Sequence, residues 1–127
     1  MPKKIPEVAK HSVELLEAVG FKVKDVSSMQ PIGNFCVLLK SDVLWARLIL
    51  EKGQEFVDIR FNDDEQWIFT YCVRKIIQPE TVFKEYQYSF ERDIQFIKDN
   101  YITIRELGSN ENIANTKKIL KRLFNLY

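Results

Sequence analysis

The chain has 127 residues, 46% of them hydrophobic and 13% aromatic, enough for one domain whose core needs neither disulfides nor a structural metal. Nineteen basic against eighteen acidic side chains leave a formal charge of +1, which argues against a nucleic-acid binder driven by bulk electrostatics. Charged residues at 29%, with only four Gly and four Pro but nine Phe, describe a folding chain rather than a disordered one.

The opening Met1-Pro2-Lys3-Lys4 is basic like a signal peptide. Glu7, Lys10, His11, Glu14 and Glu17 then stand where an apolar segment would be required, so a cytoplasmic location is expected. No apolar run approaches the roughly 18 residues of a membrane span, so no membrane partner is expected. Pro6 suits the first turn of a helix, and Val8, Ser12, Leu15, Leu16 and Val19 share one face before Gly20. From Phe21 the period falls to two, with Phe21, Val23 and Asp25 alternating against Lys22, Lys24 and Val26. This predicts a strand, ended by the polar stretch from Ser27 to Gly33 that contains Pro31.

Between Asn34 and Phe61 three apolar-rich runs are separated by Ser41-Asp42 and Lys52-Gly53, both read as two-residue hairpin turns. The first turn sets Leu39 opposite Leu44, Val37 opposite Ala46 and Phe35 opposite Leu48. The second sets Leu48 opposite Val57, Ala46 opposite Ile59 and Leu44 opposite Phe61. One face of the three strands thus becomes a continuous apolar layer, and a one-residue slip would bring charges into it.

The other face carries Cys36, Leu38, Trp45, Arg47, Ile49, Phe56, Asp58 and Arg60, too apolar for a plain solvent face yet charged. The same register sets Arg47 across from Asp58, Trp45 from Arg60 and Ile49 from Phe56: an ion pair, a cation-π contact and an apolar pair. Such a face is either a layer beneath a helix or a surface that meets a partner. Trp45, Arg47, Ile49, Phe56, Asp58 and Arg60 are the candidate partner-binding residues, because Trp and Arg dominate binding hot spots.

Asn62 to Glu65 reads as a polar connection in which Asp63 or Asp64 caps the next helix. Trp67 to Gln78 is apolar on most sides, which predicts a short buried helix stopped at Pro79, with a strand as the alternative. From Thr81, Phe83, Phe90, Ile94, Ile97, Tyr101 and Ile104 recur at spacings of three and four, predicting a long amphipathic helix that closes at Gly108. Ser109 then caps a last helix, with Ile113, Leu120, Leu123 and Tyr127 on one stripe and Lys117, Lys118, Lys121 and Arg122 on the other. The expected architecture is a single α+β domain over 1–127: an N-terminal helix, a four-stranded antiparallel meander, then two to three C-terminal helices packed on the sheet.

Catalysis needs a proton carrier or an activated nucleophile, and the single histidine, His11, sits beside Lys10 and Ser12 without an orienting partner. The sequence has no Gly-x-Ser-x-Gly turn, Gly-rich phosphate loop or H-E-x-x-H pair, so no catalytic residue and no cofactor is expected. Asp63-Asp64-Glu65 lacks the spaced carboxylates and central Gly of a calcium loop; it reads as a solvated turn, and no metal is expected. Cys36 and Cys72 lie in apolar runs where a reduced thiol acts as a small hydrophobe. The basic stripe of the last helix complements its dipole and lacks the interleaved aromatics of a nucleic-acid site.

The residues Gly33-Asn34-Phe35, Leu39-Lys40-Ser41-Asp42, Arg47, Glu51-Lys52-Gly53-Gln54, Phe56-Val57-Asp58 and Trp67 resemble a family of small, mostly uncharacterised bacterial proteins. That family has a strand-turn-strand core and a tryptophan opening the next helix, and some relatives look like immunity proteins carried beside polymorphic or contact-dependent toxins. Its second turn more often reads Arg-Gly, and Lys52-Gly53 keeps both charge and turn. The resemblance implies sheet and turn architecture and transfers no catalytic residue. It points to a non-enzymatic protein-binding module, an immunity-type inhibitor whose partner is a protein toxin. The alternative is a small-molecule or nucleotide-binding domain with its pocket between the sheet and the Trp67 segment.

Overall fold

The computed structural model describes residues 4–29, 33–62, 64–82, 84 and 86–127. Helix α1 (Glu7–Glu17) leads into a five-stranded antiparallel meander, β1 (Lys22–Met29), β2 (Asn34–Lys40), β3 (Leu44–Glu51), β4 (Gln54–Phe61) and β5 (Ile68–Phe69), in the order β1-β2-β3-β4-β5. Helices α2 (Thr70–Ile77), α3 (Phe90–Asp99), α4 (Tyr101–Leu107) and α5 (Ile113–Phe124) follow. The α+β architecture is the expected one, with one strand more than the meander read from the sequence.

The second hairpin has the expected register: Leu44 pairs with Phe61, Ala46 with Ile59 and Leu48 with Val57. Its turn puts Lys52 at φ 51° and Gly53 at φ 79°, the mirror-image geometry that matches strand twist. The first hairpin is displaced. Leu39 faces Ala46, Val37 faces Leu48 and Phe35 faces Leu50, two residues away from the expected pairing. The reversal sits at Asp42-Val43, because the Ser41 hydroxyl accepts the Leu44 and Val43 amides at 3.1 and 3.4 Å and Ser41 N–H donates to the Leu44 carbonyl at 2.8 Å. Moving a turn by one residue shifts the pairing by two, so every side chain keeps its face.

Strand β1 runs on through Ser27 and Ser28, which pair with Cys36 and Phe35 where the sequence reads as loop. A bulge between Val23 and Asp25 also breaks its alternation, so Val26 turns inward with Phe21 and Asp25 outward. Pro31 lies outside the described residues. In α1 the buried face is Ala9, Ser12, Val13 and Leu16, rotated from the expected one, and Val8 is exposed. Trp67 precedes β5 instead of opening α2, and the strand alternative holds only for Ile68 and Phe69.

The long helix expected from Thr81 to Gly108 is two shorter ones that break at Asn100, while residues 86–88 carry no regular structure and lead to the extended Ser89 that caps α3. Phe83 lies outside the described residues. Ser109 donates its hydroxyl to Glu106 O, closing the preceding turn instead of capping α5. Ala9, Val13 and Leu16 of α1, Phe90, Ile94 and Ile97 of α3, Ile104 of α4 and Leu120 of α5 form one buried cluster with the apolar sheet face. That burial removes Leu39, Leu44, Leu48, Val57 and Ile59 completely from water, each worth about 1.5–3 kcal/mol.

Candidate binding face of the sheet

The second sheet face is built in rows that run across the strands. The first row is Lys22 (β1), Lys40 (β2), Trp45 (β3) and Arg60 (β4), each paired with the next. The second is Asp25, Leu38, Arg47, Asp58 and Phe69, and the third Ser27, Cys36, Ile49 and Phe56. What reads in sequence as a mixture is therefore sorted along the strands into a cationic row, an ion-pair row and an apolar row.

All three expected cross-strand pairs are in register, and the charged and aromatic ones make the expected contacts. Arg47 Nε donates to Asp58 Oδ2 at 2.8 Å. The Arg60 guanidinium lies 5.2 Å over the Trp45 ring. Ile49 and Phe56 pair directly. Burial pushes the Asp58 carboxyl up, and the hydrogen bond and charge of Arg47 only partly offset this. Desolvation thus outweighs the ion pair, as expected for a side chain only 7% exposed.

Sequence reasoning missed three participants. Lys40 sits 5.0 Å over Trp45 on the β2 side, opposite the strand that carries Arg60. Trp67 receives both the Arg47 guanidinium at 4.2 Å and the Arg60 guanidinium at 5.2 Å. Lys22 extends the cationic row to the sheet edge. The register of the first hairpin holds the signal for Lys40, but the displaced turn hid it. Trp67 is brought in by β5, which is too short for a pattern.

Further along β4 and β5, Phe56, Phe69 and Tyr88 form an aromatic triangle with centroids 5.7 to 6.3 Å apart, so the 86–89 segment covers that end of the face. The rest stays half-open. Leu38, Trp45, Arg47, Ile49, Arg60 and Trp67 all keep part of their surface in water. Of these, the apolar Leu38, Trp45, Ile49 and Trp67 neither belong to the core cluster nor pack against it, whereas the opposite face is sealed.

A concavity of about 210 Å³ lies beside Ser27, Cys36 and Ile49. Burial raises the thiol of Cys36 and drives that of Cys72 up to about 11, so neither is poised as a nucleophile. A polar concavity of about 710 Å³ lies away from this face, between α2 and α3, lined by Arg74, Gln78, Gln87, Arg92, Gln95 and Asn100. Between the sheet and the Trp67 segment, where the alternative reading puts a ligand pocket, the indole meets the Arg47 and Arg60 guanidiniums.

Among the remaining candidates, His11 is exposed on α1. Asp64 accepts the Glu65 amide at 2.8 Å and lies 3.6 Å from Lys117, while Asp63 is outside the described residues. Lys118, Lys121 and Arg122 are exposed. Among the described residues no three His, Cys, Asp or Glu side chains stand together as a metal site. No helix among them is long and apolar enough to cross a membrane.

Compared with protein-family models, curated proteins and solved structures, the chain matches none.

Proposed function

We propose that the chain is a non-enzymatic protein-binding module that docks a partner through the open part of its sheet, with Trp45, Arg47, Ile49 and Arg60 at the contact, the buried Asp58 holding Arg47 in place and Phe56 bordering the contact beneath Tyr88. The observation that carries this reading is the asymmetry of the sheet: one face is sealed by helices, while the other keeps a Trp- and Arg-bearing surface in partial contact with water. Its side chains are held by one another, so little rotamer freedom is lost on docking. The concavity on this face, about 210 Å³, is smaller than the roughly 300–1,000 Å³ of a small-molecule site, which favours a protein over a metabolite at this face.

The partner class we propose is a bacterial toxin, held in the cytoplasm and inhibited by steric and electrostatic covering of its active site. Support comes from the resemblance of the Gly33 to Trp67 region to immunity-like proteins. The test is a search of the neighbouring genes for a large toxin with a variable C-terminal domain, then co-expression of that domain with this chain, purification of the pair and a growth-rescue assay. A complex that forms, rescues growth, and weakens at least tenfold in Ile49→Asp or Trp45→Ala is expected, since central hot-spot residues cost more than about 1.4 kcal/mol each. Rescue with unchanged affinity in both variants would move the contact off the sheet, and absence of any complex would remove the toxin partner.

A further inference from the structure

Resting on the protein-binding reading above, we propose that the row Lys22, Lys40, Trp45 and Arg60 is the docking point for carboxylates of an acidic segment in the partner protein, with Arg60 as anchor.

Three cations share this row without an acid between them. The nearest acids on the same face are already engaged: Asp58 by Arg47 at 2.8 Å and Asp25 by the Ser27 hydroxyl at 3.2 Å. Among the described residues no carboxylate pairs with Lys22, Lys40 or Arg60. Arg60 is the most committed of the three. Its guanidinium is fixed over both Trp45 and Trp67 at 5.2 Å, and its Nε is buried with no hydrogen-bond partner. A half-buried guanidinium without an anion is a standing cost, and a carboxylate supplied by a partner to its solvent-facing terminal amino groups, not to the buried Nε, offsets it through a charge-assisted bond. Lys40 and Arg60 lie two strands apart, about 10 Å by ordinary strand spacing, so one acidic stretch can engage both.

The same cations would attract phosphates, but single-stranded nucleic acid also needs open ring faces on which bases stack. Here Trp45 is taken by Lys40 and Arg60, and Trp67 by Arg47 and Arg60. A net charge of +1 adds no long-range field for a polyanion. Carboxylates, which need the guanidinium fork and no stacking surface, fit better.

Both tryptophans of the chain belong to this site, so their emission reports it directly. A heptaglutamate peptide titrated into the full chain should change the emission saturably, an effect that weakens with added salt. Arg60→Gln and the surface pair Lys22→Gln/Lys40→Gln should each weaken it by about tenfold, the loss of one or two charge-assisted contacts. Circular dichroism checks the fold of Arg60→Gln, and the lysine pair decides the matter if that variant unfolds. Lys118→Gln/Lys121→Gln on α5 should bind as the wild type.

No saturable change, or equal binding by the row variants, overturns the proposal, and tighter binding of oligo-dT than of heptaglutamate reassigns the row to nucleic acid. If the toxin complex survives the triple variant Lys22→Gln/Lys40→Gln/Arg60→Gln with unchanged affinity, acidic docking fails while protein binding stands. Loss of the complex in Ile49→Asp with no response to heptaglutamate leads to the same conclusion.

Discussion

Arg47 holds two neighbours at once: its Nε donates to Asp58 Oδ2 at 2.8 Å, and its guanidinium lies 4.2 Å over the Trp67 ring. It therefore ties the segment ahead of β5 to the middle of the sheet while neutralising the one buried carboxylate of that face.

Arg47→Met keeps the apolar stem but leaves Asp58 as a buried charge without a cation. The expected loss in urea unfolding is about 2–3 kcal/mol at pH 7, with Asp58→Asn costing less and the double variant recovering part of the loss. Burial already holds the Asp58 carboxyl above its ordinary value, and removing Arg47 raises it further. A raised folded value means that the deficit is absent below the ordinary carboxylate range and grows as pH rises through the folded value. A deficit independent of pH would show that the ion pair is not its source.

Gly108 follows α4 and has an ordinary backbone, φ −93°. Propensity alone would make Gly108→Ala mildly stabilising. A Cβ there would instead stand 2.3 Å from Cδ1 of Phe61, a buried ring at the end of β4 paired with Leu44. Overpacking by this methyl group should destabilise the chain by about 2 kcal/mol in thermal or urea unfolding. Phe61→Leu in the alanine background should return part of it, and a rise in melting temperature for Gly108→Ala alone would contradict the packing.

Lys52 adopts φ 51° ahead of Gly53 at φ 79°. An L-residue with a long side chain is disfavoured there, while Asn tolerates it, so Lys52→Asn should stabilise the hairpin by about 0.5 kcal/mol. Lys52→Val, branched at Cβ, should cost at least about 1 kcal/mol. The order Asn above Lys above Val in melting temperature is the check; Val at or above Lys would mean that the turn relaxes.

Turn chemistry also explains which parts of the fold can be read from the residues. Lys52-Gly53 names its own geometry, and the β3–β4 register with its ion pair follows from it. Ser41 hides its geometry, because its side chain acts on the backbone and moves the reversal by one residue. The faces are unaffected, since a shift of two preserves parity, and so six candidate residues are legible while Lys40 is not. The bulge in β1 shows in the sequence only as the step of three from Val23 to Val26, which a strict period of two passes over, and the break at Asn100 leaves the helical apolar spacing intact on either side. At Asn100 the side-chain amide donates back to Phe96 O at 2.9 Å, sharing that carbonyl with the residue's own backbone N–H at the end of α3.

Asp93 offers a pH test away from the sheet. It is fully buried on α3, accepts a hydrogen bond from the Tyr86 hydroxyl, and its Oδ2 has no hydrogen-bond partner. Burial raises its carboxyl to about 6, against the lowering effects of Tyr86, Arg74 and Arg92. Because the folded value exceeds the unfolded one, stability tied to the protonated form is full near pH 4 and lost as pH rises through about 6. The loss approaches about 3 kcal/mol if the whole shift is expressed. Asp93→Asn keeps an acceptor for Tyr86 and cannot ionise, so its stability relative to wild type should increase by about 2–3 kcal/mol between pH 4 and pH 7. Urea unfolding of both proteins across that range measures the difference, which cancels the opposing trends of surface carboxylates common to both. A difference that stays constant with pH would mean that Asp93 titrates alike in the folded and unfolded chain, and that water reaches the carboxylate behind Tyr86.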